Sequence, residues 1–167
     1  STLVSNPFPK FGELHGAMAK LAEFMEQHST PGTSGLPAEV EFALRTAVAL
    51  TVDLKSLLDA RTEKLRPLAT LLQRNERFAK RDAHRAVEET ETVYAILQVV
   101  DEAGEALNLT GIRRGMRARV GRLRKGSYLL AVLRDAGLLV RPQGNNKAYA
   151  PHALTEDARQ LLTQLKA

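Results

Sequence analysis

One stretch, residues 107–162, constrains the fold of this chain more than any other, because the period of its apolar residues changes along it. Within 110–119 and 122–136 apolar residues recur at spacings of three and four, which is the period of an α-helix. Gly121 separates these segments, where a tight turn between two helices needs a residue that tolerates positive φ. Thr110 is the expected cap of the first helix. The pattern predicts two consecutive helices joined by a short turn.

The remainder of the stretch predicts a hairpin and a further helix. Gly137 has the position of a glycine that ends a helix. Residues 138–141 and 148–150 are short apolar runs, and the tip between them contains Gly and Asn, which accept the left-handed conformations of hairpin turns. Thr155 then precedes two acidic residues, as expected at a helix N-terminus.

Positive charge is concentrated in the same region. Eight basic residues and no acidic residue lie between Ala106 and Arg134, whereas the other residues comprise 16 basic and 19 acidic ones. The eight are Arg113, Arg114, Arg117, Arg119, Arg122, Arg124, Lys125 and Arg134. A basic segment on a helix pair within an otherwise slightly acidic chain favours binding to phosphates. The alternative is a basic face that is merely solvated.

The C-terminal two-fifths of the chain resembles a known group of DNA-binding proteins. The string LLAVLRDAGLLVRP, a Gly/Asn-rich tip and then AYAPHALTEDARQLL resemble the recognition helix, wing and following helix of winged helix-turn-helix regulators of the MarR, PadR and ArsR types. The sequence departs from that pattern at Pro151-His152-Ala153, which lengthens the spacing after Tyr149, and at Ala158, where many members have Gly. The resemblance implies a superfamily of folds and double-stranded DNA as the partner.

Roles in DNA binding follow from position in this arrangement. The N-terminal end of the recognition helix, expected at about 122–136, reaches base edges in the major groove. The arginines of the preceding helix are expected to contact phosphates, and the hairpin tip is expected to contact the DNA backbone or minor groove. The predicted DNA-binding residues are Arg113, Arg114, Arg117, Arg119, Arg122, Arg124, Lys125, Ser127, Tyr128, Arg141, Asn145, Asn146 and Lys147.

The N-terminal half is expected to be helical as well. Apolar residues at three-and-four spacing predict helices over about 10–28 and 36–65, and Pro67 should break the second. Residues 73–91 are strongly polar and predict an exposed connecting helix. The expected fold is therefore mainly α. An N-terminal arm and amphipathic helix (1–36) and a long helical dimerisation or connecting region (37–91) precede a winged helix-turn-helix domain (92–167).

The composition of the chain argues against several other classes of function. The chain contains no cysteine, which excludes disulfides and thiolate metal sites, and its four histidines are scattered, so we expect no metal site and no cofactor. No run of about 18 apolar residues is present, and the N-terminus lacks the pattern of a secretory signal. We therefore expect no membrane partner and a cytoplasmic, nucleoid-associated location.

Catalytic motifs are also absent from the sequence. It contains no phosphate-binding glycine loop, no H-E-x-x-H and no G-x-S-x-G. Glu88, Glu89 and Glu91 lie close together, but without further ligands they fit a solvated acidic face better than a di-metal site. We expect no enzymatic activity.

These observations lead to three hypotheses. The first is a transcriptional regulator that binds double-stranded DNA as a homodimer through its N-terminal helices, with a monomer as the alternative. The second is a DNA-binding protein of replication, partition, nucleoid organisation or repair. The third is a winged-helix domain that docks other proteins.

Overall fold

The computed structural model describes residues 8–27, 35–142, 147 and 149–167, and this part of the chain is mainly helical. The helices of the described residues are α1 (Phe8–Gln27), α2 (Ala38–Lys64), α3 (Arg66–Leu72), α4 (Glu76–Ala79), α5 (Ala83–Ala103), α6 (Leu109–Arg119), α7 (Gly126–Asp135) and α8 (Glu156–Lys166). Two short strands, β1 (Leu139–Val140) and β2 (Ala153–Leu154), pair near the C-terminus.

The chain divides into two compact units, and the division falls at the end of α2. Residues 7–63 belong to one unit and Lys64–Ala167 to the other. This division differs from the boundary expected between residues 91 and 92, because α3, α4 and the first turns of α5 belong to the C-terminal unit.

Helix α5 lies at the centre of the C-terminal unit. Val93, Ile96, Leu97 and Val100 follow one another at helical spacing on one side of this helix, and all four are buried. Gly104, in the left-handed conformation, ends the helix. Helices α3, α6, α7 and α8 all contact α5, and their buried side chains form one continuous hydrophobic cluster with it. The apolar period of the sequence thus identified this core correctly.

The segment 73–91 does not form the exposed connecting helix that its polar sequence predicts. Asn75 caps the short helix α4 by accepting hydrogen bonds from the backbone N–H groups of Arg77 and Phe78, and Asp82 caps α5. Phe78 is completely buried. Asn75 and Asp82 each start a new helix, so the segment is not one continuous helix. Burial of Phe78 holds it against the core. The prediction of an exposed connecting helix was therefore wrong.

The strand pair begins where predicted but closes later in the chain. Leu139 pairs with Leu154 and Val140 with Ala153, in antiparallel register. The second strand was expected at 148–150, but Tyr149 and Ala150 are not in a strand. Pro151 cannot donate to a ladder, and His152 instead forms an isolated bridge with Leu107 through two backbone hydrogen bonds of 2.8 and 2.9 Å. The register buries Leu139 and Leu154 together, which explains the displacement.

In the N-terminal unit, α1 and α2 line a shared cavity of about 280 Å³. Met18 and Ala22 of α1 and Val48 of α2 contribute apolar surface to it. Helix α2 ends at Lys64 and α3 begins at Arg66 with Pro67 in its first turn, so the predicted break at the proline is confirmed. Within the described ranges, no helix is both long and apolar enough to cross a membrane.

Candidate nucleic-acid interface

Helix α6 presents arginines on one flank and packs with the other. Its buried residues are Leu109, Ile112 and Met116. Arg113, Arg114 and Arg117 are exposed. At about 100° per residue, these three arginines fall within an arc of about 100° beside the buried face. They point to solvent together and can approach one extended anion.

The start of α6 is set by Asn108 and not by Thr110. The side chain of Asn108 accepts a hydrogen bond from the backbone N–H of Gly111 at 2.8 Å. Thr110 lies inside the first turn and is exposed. The expected cap was therefore wrong by two residues. Asparagine and threonine are both good N-cap residues, and the sequence does not show that the bridge at Leu107 makes Asn108 the N-cap of the helix.

Two glycines allow α6 to approach its neighbours closely. A Cβ atom at Gly115 would overlap the side chain of Val99 on α5, and a Cβ at Gly126, the first residue of α7, would lie 2.7 Å from Cδ1 of Leu109. A larger residue at Gly115 would force α6 and Val99 apart, and one at Gly126 would force the end of the Leu109 side chain to move. The arginine-bearing helix is held firmly between α5 and the start of α7.

The turn between α6 and α7 carries three further cations. Gly121 adopts a φ of 110° and Lys125 a φ of 55°, while Leu123 between them is buried. Arg122, Arg124 and Lys125 are exposed on this turn. The turn at Gly121 is confirmed. The helix expected over 122–136 starts only at Gly126, because a left-handed residue at Lys125 cannot continue a right-handed helix.

Helix α7 offers a narrow exposed face next to this turn. Gly126, Leu129, Leu130 and Leu133 are buried, while Ser127 is exposed in the first turn. Lys125 occupies the N-cap position without a side-chain hydrogen bond to the helix. The first N–H groups of α7 therefore lack a side-chain cap, and the dipole of the helix favours an anion at that end.

Tyr128, a predicted DNA contact, is engaged within the protein. Its hydroxyl donates to a carboxylate oxygen of Glu89 at 3.2 Å, and the guanidinium of Arg81 lies 5.2 Å from its ring centroid. Partial burial raises the pKa of Tyr128. Arg81 in turn pairs with Glu89 at 3.3 Å. The side chain fixes α7 to α5. Sequence spacing does not reveal this contact, because Tyr128 lies 39 positions after Glu89 along the chain.

Arg119 is likewise paired. It forms an ion pair with Glu102 and donates to Gln98 at 3.1 Å. Since it lies on the flank of α6 that faces α5, it differs from the three other arginines of that helix. We conclude that Arg119 ties α6 to α5.

Arg134 and Arg141 meet a buried histidine at the base of the strand pair. Nη1 of Arg134 lies 2.7 Å from Nε2 of His152. His152 is only 2% exposed, and burial, followed by the charges of Arg134 and Arg141, lowers its pKa. Burial likewise lowers the pKa of Arg134. Arg141, predicted to contact DNA, is half-buried beside this group.

The predicted hairpin tip is only partly within the described residues. Asn145 and Asn146 lie outside them, whereas Lys147 is described and exposed.

Six cations of the basic segment differ from the rest in forming no ion pair with any residue that the structure describes. They are Arg113, Arg114, Arg117, Arg122, Arg124 and Lys125. No acidic side chain in the described part of the chain forms an ion pair with any of them. They occupy one helix flank and the turn that follows it, so the exposed charge remains available to a polyanion.

No group of three or more potential metal ligands occurs among the residues that the structure describes. The chain matches no protein-family model. It also has no significant match among curated proteins or among solved structures.

Proposed function

We propose that this protein binds double-stranded DNA through α6, the α6–α7 turn and the N-terminal end of α7, arranged as a winged helix-turn-helix. The observation that carries the proposal is the set of six exposed cations on α6 and the following turn that form no ion pair within the described ranges of the chain. A cluster of exposed cations of this kind supplies the sequence-independent attraction to phosphates on which DNA affinity depends.

The order of elements supports the winged helix-turn-helix arrangement. Helices α5, α6 and α7 are followed by the antiparallel pair β1 and β2. Leu107, between α5 and α6, bridges to His152 just before β2, so the connection between the first two helices joins the base of the strand pair. In this arrangement α7 is the recognition helix, and the chain between β1 and β2 is the wing.

The roles of individual residues follow from their positions. Arg124, Lys125 and Ser127 surround the uncapped start of α7 and are proposed to reach base edges in the major groove, with Arg122 beside them. Arg113, Arg114 and Arg117 are proposed to hold phosphates and set the register. Tyr128 and Arg119 act instead by positioning α6 and α7.

We expect Arg124→Ala combined with Lys125→Ala to weaken binding to a labelled duplex of about 30 base pairs by more than tenfold at about 50 mM salt. The change removes two exposed cations from the turn while leaving the buried Leu123 in place. Fluorescence anisotropy titration measures the affinity, and circular dichroism checks that the helices persist.

A matched control is available on α4. Arg77→Ala combined with Lys80→Ala removes one arginine and one lysine that are exposed. Asn75 next to α4 hydrogen-bonds Asp135 at the C-terminal end of α7, the end opposite the proposed contact. This variant should bind DNA within about twofold of wild type, because neither side chain belongs to the proposed interface with the phosphates. Equal losses in both variants would contradict a localised site.

The resemblance of residues 129–162 to winged helix-turn-helix regulators favours transcriptional regulation as the purpose of DNA binding. Genome-wide mapping of bound DNA separates this from the alternatives. Enrichment at a few promoters supports regulation. Broad or origin-linked occupancy would indicate replication, partition, nucleoid organisation or repair, and no enrichment would indicate protein docking.

A further inference from the structure

Helix α2 exposes an unusual amount of apolar surface for a helix of a small protein. Leu50 is 62% exposed, Leu54 39% and Leu57 69%. A helix with this much apolar surface in water is normally covered by another protein surface.

The exposed leucines belong to a regular seam. Ala43, Ala47, Leu50, Leu54, Leu57 and Arg61 follow one another at alternating spacings of four and three residues, and we call this set the α2 seam. This 3.5-residue period is that of the a and d positions of a coiled coil, which two helices bury between them. The α2 seam extends over 18 residue steps, which correspond to about 27 Å along the helix axis.

The α2 seam is distinct from the side of α2 that faces α1. The cavity shared with α1 is lined on α2 by Val48, Thr51 and Val52. At about 100° per residue, these three lie on average about 130° round the helix from the seam. Helix α2 therefore carries two apolar sides, and one of them lines the cavity shared with α1.

We propose that a second copy of this chain covers the α2 seam, with the two α2 helices antiparallel across a two-fold axis. In that register Leu50 lies opposite Leu54 of the second copy, and Ala47 lies opposite Leu57. Each small residue then meets a large one, whereas a parallel pair would place alanine on alanine at one end and leave a void. The inference does not depend on DNA binding.

Charge at the two ends of α2 favours the same orientation. Glu39 and Lys64 are both exposed and lie at opposite ends of the helix. They are 25 residues apart, which is close to seven full turns, so they occupy nearly the same face. Antiparallel pairing brings Glu39 near Lys64 of the second copy at both ends, whereas parallel pairing places like charges together.

The size of the surface predicts a dimer of moderate strength. A 27-residue helix is about 40 Å long, and a contact strip about 10 Å wide offers roughly 400 Å², half of the roughly 800 Å² per partner in a standard interface. The association should therefore be measured from about 1 to 200 µM.

Sedimentation equilibrium of the full chain over this range tests the proposal. We expect the mass to rise toward twice the 18.4 kDa of one chain, and Leu50→Glu with Leu57→Glu to remain monomeric throughout. Phe42→Glu is the matched control, because Phe42 is 74% exposed on the same helix and outside the seam. A wild-type mass of one chain at every concentration would overturn the proposal, as would equal dissociation by Phe42→Glu.

Charge exchange tests the orientation without altering the seam. Glu39→Lys alone and Lys64→Glu alone should each weaken the dimer roughly fivefold, and the two together should restore it. If the double variant is no tighter than the single ones, the antiparallel arrangement is wrong.

Cross-linking provides a second measure, which is clean because the chain has no cysteine. A mixture of Ala47→Cys and Leu57→Cys chains should form mixed disulfides under mild oxidation. Leu57→Cys alone should not, because the two positions would be about 15 Å apart along the axis, beyond the roughly 7 Å that a disulfide spans. Efficient self-cross-linking of Leu57→Cys would indicate a parallel pair and overturn the orientation.

Discussion

The contact between Arg134 and His152 determines the protonation state of a buried imidazole. A guanidinium can only donate hydrogen bonds, so Nε2 of His152, 2.7 Å from Nη1 of Arg134, must accept. The ring is therefore neutral, with its proton on Nδ1. Burial lowers the pKa of His152, and the charges of Arg134 and Arg141 lower it further. Protonation would also replace the hydrogen-bond acceptor with a donor facing Arg134.

This contact predicts a stability that falls in mild acid. Below the ordinary histidine pKa of 6.5 the unfolded chain binds a proton that the folded chain resists, so the free energy of unfolding is highest above that pH and decreases as the pH falls toward the lowered pKa. We expect His152→Gln, which keeps a neutral acceptor, to flatten the fall in Tm between pH 7 and pH 5.

Thermal unfolding followed by circular dichroism measures this effect. His84→Gln is the control, because His84 is exposed at the start of α5, and it should keep the wild-type dependence on pH. If His152→Gln leaves the dependence of Tm on pH unchanged, His152 is not the cause of the loss of stability in acid.

At the scale of elements, the position of α6 depends on the absence of a side chain at Gly115. Glycine within a helix normally costs about 1 kcal/mol relative to alanine. Here that cost is accepted because a Cβ would overlap Val99 on the facing side of α5. The close approach sets how far the exposed flank of α6 stands from the core.

We expect Gly115→Ala to lower the free energy of unfolding by about 1–2 kcal/mol despite the better helix propensity of alanine, because overpacking in a closely packed contact costs more than the propensity gains. Val99→Ala combined with Gly115→Ala should recover part of the loss, since it removes the overlapping methyl groups. Urea denaturation of the single and double variants measures the coupling, and strictly additive effects would contradict it.

The sequence predicted well those elements in which the apolar pattern repeats over many residues and in which a glycine marks the end. The core side of α5 and the ends at Gly104 and Gly137 follow from apolar spacing and from glycine. The start of α7 was not predicted, since a left-handed backbone at Lys125 has no sequence signal. The position of β2 was not predicted either, because it depends on the bridge between Leu107 and His152, a contact across 45 residues. The charge pattern of the sequence marked the basic segment, but the ion pairs within it, such as that of Arg119, depend on packing that spacing does not reveal.

At the scale of the whole molecule, the separation of charge predicts how binding responds to salt. The basic segment carries eight cations within a chain whose remainder is slightly acidic, and six of them have no internal ion pair among the described residues. Each phosphate contact contributes about −0.9 to the slope of log K against log salt. The three phosphate contacts proposed for α6 therefore give a slope of roughly −3, and the slope rises in magnitude to roughly −5 if the three cations of the turn also lie on phosphates.

Anisotropy titrations between about 50 and 300 mM KCl measure this slope. Arg124→Ala with Lys125→Ala should reduce its magnitude by about 2 if both side chains contact phosphates, and by less if they contact bases. A slope near zero for the wild-type protein would contradict the proposed interface.

Lys125 combines two properties that are seldom found together, a left-handed backbone and an exposed cation at the start of α7. Glycine would hold that backbone more easily but would remove the charge, while a β-branched residue would hold it worst. Stability and attraction to an anion therefore select different residues at this one position. A chain optimised only for folding would be expected to lose the lysine, so its presence is a cost that folding alone does not explain.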